Sequence, residues 1–149
     1  MLLQTLESLF SRDLNRLKGE IQLYRDERKI WYIEKNIANS AGNLCLHLVG
    51  NLNAYIGTEL GKTNYIRQRD LEFSLKDIPR TELVKRIDNT VSMIQKVLGH
   101  LTSDDLLAIY PVMVFDKEMS TEYFLAHLAT HLNYHLGQVN YHRRLLDAE

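Results

Sequence analysis

Residues 120–146 read Ser120-Thr-Glu-Tyr-Phe-Leu-Ala-His127-Leu-Ala-Thr-His131-Leu-Asn-Tyr-His135-Leu-Gly-Gln138-Val-Asn-Tyr-His142-Arg-Arg-Leu145-Leu146. Phe124, Leu128, His131, His135, Gln138, His142 and Leu145 recur in steps of four and three, the spacing of one face of an α-helix. That face is expected to point inward, and an amphipathic helix of this length needs partner helices to cover it.

Working outward, three more segments supply such partners. From about residue 2 to 26, Leu3, Phe10, Leu17 and Tyr24 step by seven, with Leu6, Leu14 and Ile21 on the same side. From roughly 37 to 57, Ile37, Ala41, Leu44, Leu48, Leu52 and Tyr55 form one stripe. Ser40 or Asn39 is positioned to cap a shorter version, and Gly57 and Gly61 mark its end. From about 80 to 101, Leu83, Ile87, Val91, Ile94, Leu98 and Leu101 share a face, and Pro79 sits where a first turn tolerates it. The polar connection 58–79 is long enough to carry the chain from one end of a bundle to the other. The connection 102–119 holds Ile109-Tyr-Pro-Val-Met-Val-Phe115, where a short extended piece is expected. The expected fold is therefore all-α, a four-helix bundle with a long crossover after its second helix, in one domain over residues 1–149.

Composition narrows the function. The 149 residues carry 18 Lys+Arg against 19 Asp+Glu, a formal net charge of −1, which argues against nucleic acid or an anionic membrane surface as partner. No stretch approaches the length of a membrane span, and no secretory signal pattern opens the chain. A single cysteine, Cys45, reads as a small core residue in a reducing compartment, so the expected location is cytoplasmic. The unusual feature is six histidines.

Side chains four apart on a helix lie about 5–6 Å apart at Cβ, so His131 and His135 can share one metal ion. His127 and His135 are separated by about 12 Å of helix rise, so one straight helix cannot supply all three ligands. His131 and His135 fall on the inward stripe and His127 toward its edge. His47, between the apolar positions Leu44 and Leu48 of the second helix, is the expected third ligand. Three imidazoles with positions left open is the donor set of a catalytic divalent-metal site, and a metal offsets the cost of burying them. His100 reads as a helix-end residue, and His142 has no assigned role. There is no His-Glu-x-x-His, no Glu-x-x-His on a helix, no phosphate-binding glycine loop and no Ser-His-Asp arrangement.

The stretches His131-Leu-Asn-Tyr-His135-Leu-Gly-Gln138 and Asn43-Leu-Cys-Leu-His47-Leu-Val-Gly-Asn51 resemble the fourth-helix and second-helix metal motifs of the DinB-like superfamily. Arg67-Gln-Arg-Asp-Leu-Glu-Phe73 is similar to a loop in one branch of it. The resemblance implies a four-helix bundle holding nickel, zinc or a similar divalent ion at His47, His131 and His135, often as a homodimer. It further implies chemistry like that of the bacillithiol- or mycothiol-dependent S-transferases and the thiol-dependent maleylpyruvate isomerase. Leu136 departs from the pattern, since many members carry Arg there, and a possible anion contact is lost.

The expected function is thus metal-dependent S-transfer to a small molecule with a low-molecular-weight thiol. The alternatives are a metal-dependent hydrolase and a non-catalytic, stress-associated metal-binding dimer. Transfer needs no protein nucleophile, and no general base for hydrolysis is identifiable in the sequence. Gln138 is expected either to orient a ligand or to bridge helices, and Asn43 and Asn51 to cap connections or orient ligands. Arg67, Arg69 and Asp70 read as an ion-paired or solvated loop before an anion site. Gly137, inside a helix at a cost of about 1 kcal/mol against Ala, reads either as a close backbone approach or as chance. Tyr134 and Tyr141 read as a packing stripe. Trp31, Tyr32 and Tyr110 are expected to be exposed and to supply a dimer surface.

Overall fold

In the computed structural model, which describes residues 1–148, the chain folds as four long helices and two short ones. Helix α1 spans Leu2–Leu23, and a single 3-10 turn, Glu27–Trp31, follows it. Helix α2 spans Ala41–Leu52 and continues through a π-helical stretch at Asn53–Thr58 into a last turn, Glu59–Gly61. The crossover holds α3 (Arg69–Ser74). Helix α4 spans Arg80–His100, α5 is the short Ser103–Leu107, and α6 spans Thr121–Leu146. None of them is long and apolar enough to cross a membrane.

The side-chain pairs fix the directions of the helices. Asn133 donates to Asp13 at 3.0 Å and Asn140 to Glu20 at 2.7 Å, each pair 120 positions apart, so α1 and α6 run parallel. Lys18 meets Asp88 at 2.8 Å, while Arg80 donates to the Tyr24 carbonyl at 2.8 Å, so α4 runs back along α1. Asn53 donates to Thr90 at 2.9 Å and Gly61 abuts Val97, so α2 and α4 are parallel. Each long helix packs against two neighbours in the cyclic order α1, α4, α2, α6. Two parallel helices in sequence require a crossover, and residues 62–79 provide it, as expected.

Phe10, Leu14, Leu17 and Ile21 of α1, Leu48 and Leu52 of α2, Ile87 and Ile94 of α4, and Leu125, Leu132 and Val139 of α6 are all fully or nearly fully excluded from solvent. At about 25 cal/mol per Å² of apolar surface, this core is the main stabilising term. The whole of Ala41–Leu52 is buried, because α2 is covered by α4, α6, the 3-10 turn and α3.

Several boundaries and placements differ from expectation. Helix α2 starts at Ala41, not 37, because the Ser40 hydroxyl accepts the Asn43 backbone N–H at 3.1 Å and ends the helix there. It outruns Gly57 and stops at Gly61, where Lys62 adopts a left-handed φ of 55°. The 109–115 piece is not a strand. One antiparallel bridge between Ile109 and Ser120 closes that connection. Trp31 and Tyr110 are buried, contrary to a role in an exposed aromatic surface. The Trp31 ring lies on Gly42, where any Cβ would collide with it, and the Tyr110 ring packs 4.4 Å from Phe124 while its hydroxyl donates to the Tyr55 carbonyl. Of the three, only Tyr32 is exposed.

The buried arc of α6 is also rotated from the expected stripe. It runs through Phe124, Leu125, Leu128, Leu132, Leu136, Val139 and His142, since the helix must face both α1 and α2. His131 and His135 are half-buried on its flank, and Gln138 and Leu145 are exposed. Leu136, where the resembling motif often has Arg, is a packing residue.

Candidate metal centre

Helix α2 presents His47 in mid-helix, and α6 presents His131 and His135 one turn apart on the flank that faces it. One ligand nitrogen from each of the three lies within 4.8 Å of the others. The ring centroids are 5.1 Å apart for His47 and His131, 5.3 Å for His47 and His135, and 4.6 Å for His131 and His135. The structure thus brings together all three residues singled out from sequence. His127 stays outside the group, its ring against Phe115 at 4.9 Å.

Hydrogen bonds orient the rings. His47 Nδ1 faces Glu72 Oε1 at 3.1 Å, and His135 Nδ1 faces Gln138 Oε1 at 2.6 Å. Both partners are acceptors, so each Nδ1 donates its proton to them and each Nε2 is left to face the group. His47 Nε2 and His131 Nε2 are 3.3 Å apart, and the buried Nδ1 of His131 has no hydrogen-bond partner among the described residues. Burial pushes the His131 pKa down to about 4, and charge on His135, His47, His127 and Arg67 pushes in the same direction. Burial likewise lowers the His135 pKa, against an opposing hydrogen bond to Gln138. Three convergent imidazoles, two of them held below the ordinary imidazole pKa, with one orphaned nitrogen are the donor set that a borderline divalent cation fits.

Glu72, on α3, was not singled out from sequence. Arg67 clamps it with Nε to Oε2 at 2.9 Å and Nη2 to Oε1 at 3.0 Å. Burial alone would raise the Glu72 pKa, but hydrogen bonds from His47 and Arg67 and the arginine charge outweigh it and hold the group below the usual range. Asn43 donates to the Glu72 and Leu75 carbonyls at 2.9 and 2.8 Å and so fastens the crossover onto α2. Gly50, one turn past His47, lies directly under the Glu72 carboxylate, which any Cβ there would overlap. A carboxylate, an imidazole and its free nitrogen form the outer-to-inner sequence that fixes ligand rings at metal sites.

The remaining candidates fall into structural roles. Arg67 is ion-paired, as the loop reading expected, and Arg69 lies over the Phe73 ring at 5.3 Å. His100 Nδ1 donates to the Lys96 carbonyl at 2.7 Å in the last turn of α4. His142 is buried, accepting from the Tyr24 hydroxyl at 2.6 Å and donating to the Tyr32 carbonyl at 2.9 Å. Cys45 is buried, and burial raises its thiol pKa to about 12, so it is no nucleophile. Gly137 has open space where a Cβ would go, so no close approach explains it.

The match to known proteins covers the whole bundle. The chain belongs to the DUF1572 family. The model of that family, described as a protein of unknown function, matches residues 2–149. No curated protein matches this DUF1572 chain.

Proposed function

We propose that this DUF1572 protein is a DinB-like metal-dependent enzyme that holds a divalent ion, nickel or zinc, on His47, His131 and His135. The observation that carries the reading is the convergence of three ligand nitrogens from two helices, with two of the rings already fixed by Glu72 and Gln138. An ion there supplies Lewis acidity that lowers the pKa of a thiol or water brought to it. The chain's own residues do the positioning. Glu72 retains the Nδ1 proton of His47, Gln138 that of His135, and Arg67 immobilises Glu72.

Charge and hydrogen bonding favour transfer over hydrolysis. Arg67 and Glu72 neutralise each other, so a divalent ion on the three imidazoles would leave the site net positive, which favours an anionic nucleophile such as a thiolate. Glu72, the carboxylate that touches the group, is held below its usual pKa with both oxygens engaged, which makes it a poor general base. The proposed reaction is therefore S-transfer from a low-molecular-weight thiol to a small electrophile, in the cytoplasm. The proposed assembly is a homodimer. Trp31 and Tyr110 are unavailable for its interface, whereas Leu107, Ile109 and Met113, beside α6, are exposed.

Elemental analysis of the purified chain tests the ligand set. Stoichiometric metal in the wild type, lost in both His47→Ala and His131→Ala, is the expected result. Unchanged metal in either variant overturns it. A screen of thiols with electrophilic acceptors then tests the reaction, and a metal-loaded chain inactive throughout would leave the ion a structural role. A monomer by light scattering at micromolar concentration would remove the dimer.

A further inference from the structure

A cavity of about 510 Å³ lies between the loop before α2 and the exposed edge of α6. That volume is in the range of small-molecule sites, typically about 300–1,000 Å³. Leu44 and Ile37 form part of its wall, Tyr134, Tyr141 and Leu145 come from α6, and His135 with Gln138 joins it to the three-imidazole group.

Its wall is mainly apolar, and its polar members, Asn36, Asn39, Gln138 and the two tyrosines among them, are uncharged. Among the described residues, no Lys, Arg, Asp or Glu lines it. The charged residues Arg67, Arg69 and Asp70 line a separate cavity along the crossover. Both nitrogens of His142 are already taken by Tyr24 and Tyr32, so that ring offers the cavity no polar function. The Gln138 carbonyl oxygen is taken by His135, which leaves the Gln138 amide N–H groups as donors beside the site. A charged ligand placed here would lose hydration without meeting a charged side chain of the wall, whereas an apolar one gains about 25 cal/mol per Å² buried.

We propose that this cavity takes an uncharged, mainly apolar small molecule with one hydrogen-bond acceptor, which the Gln138 amide meets next to His135. The inference rests on the metal-centre reading in identifying the occupant as the substrate, and it assigns that substrate to the neutral, apolar class. A charged thiol would then have to approach from elsewhere on the site.

The test uses the whole purified chain, loaded with zinc, and two fluorescent probes. 6-Propionyl-2-(dimethylamino)naphthalene is neutral, mainly apolar and carries one carbonyl acceptor, and anilinonaphthalene sulfonate is an anionic naphthalene of similar size. The neutral probe is expected to bind one per chain, at least about tenfold tighter than the sulfonate. Leu145→Glu and Ala38→Glu, both at exposed positions on the wall, are expected to weaken the neutral probe about tenfold. Leu145→Lys should shift preference toward the sulfonate. Equal affinity for both probes, or indifference to both glutamates, overturns the proposal. So does binding that weakens with protein concentration as light scattering shows a dimer forming, because a second copy would then cover this face. Metal content measured on the same samples keeps the two readings apart. Zinc retained without probe binding defeats only the cavity, and probe binding without zinc defeats only the metal centre.

Discussion

The two edges of α6 carry polar residues into the bundle in opposite ways. Along the α1 edge, Asn133 and Asn140 pair with Asp13 and Glu20, His142 pairs with Tyr24, and Arg143 closes on Glu20 at 2.6 Å. Each of these groups finds its complement within the chain. Along the α2 edge, His131 and His135 meet a third imidazole, and the buried Nδ1 of His131 has no partner among the described residues. Polar burial alone therefore does not mark a site. What sets the α2 edge apart is like groups converging with a bonding deficit, which is the ground for the proposed metal.

The comparison can be broken most severely by exchanging losses across the two edges. His142→Ala removes a buried ring with two hydrogen bonds and is expected to cost about 3 kcal/mol by denaturant unfolding, with metal content unchanged. His131→Leu is expected to abolish metal binding while leaving the metal-free chain at least as stable as the metal-free wild type, because it replaces an incompletely paired imidazole with an apolar side chain. A His131→Leu chain that retains metal, or a His142→Ala chain that loses it, would erase the distinction between the edges.

A smaller effect tests the support of His47. Glu72→Gln, and Gly50→Ala by displacing Glu72, are each expected to weaken metal binding about 10- to 100-fold in chelator competition, with helicity by circular dichroism retained. The cobalt-substituted spectrum should change in both. An unaltered affinity and spectrum in Glu72→Gln would show that the carboxylate serves packing alone.

Acid should reveal both edges with one sign. Burial holds the His142 pKa below the ordinary value, against an opposing hydrogen bond to Tyr32. The unfolded chain takes up that proton near pH 6.5 and the folded chain only at lower pH. The stabilisation is therefore complete above about pH 6.5 and lost as pH falls through the folded value. His131, pushed down to about 4, adds a slope of the same sign. Unfolding free energy measured from pH 7 to 4.5 should fall less steeply in His142→Gln and in His131→Leu than in wild type. The smallest change expected is a gain of about 0.5–1 kcal/mol for Gly137→Ala, since its Cβ would stand in open space on a helix. A loss of stability there would mean that a second molecule packs against this face.

The fold was readable because periodicity survives over four long segments, and because two prolines and seven glycines leave few interruptions. His131 and His135 were readable as a pair for the same reason, being one turn apart. His47 required placing two helices face to face. Glu72 was beyond that reach: its bond to His47 spans 25 residues, and it sits on a helix of six residues with too little periodicity to detect. Two local signals pointed toward it, the run of Arg67 and Arg69 around acidic residues, and Gly50 one turn beyond His47. The buried arc of α6 is rotated from the stripe that the sequence predicts because a helix covered by two neighbours buries a wide arc, and a stripe of single residues does not define its centre. Trp31 and Tyr110 were misplaced because aromatic residues in connections carry no sign of whether a glycine surface or another ring will receive them.

The paired acids of α1 have a geometric consequence for the imidazoles on the far edge of α6. Asp13 and Glu20 are seven residues apart, as are Asn133 and Asn140, so the two rungs act as a vernier between parallel rods. Sliding α6 by one helical turn, about 5.4 Å, would leave both asparagines without their acids, and re-engaging even one rung takes a slide of about 10.5 Å. Ångström-scale placement of His131 and His135 opposite His47 is thus locked axially from the other side of the same helix, by residues that never touch them.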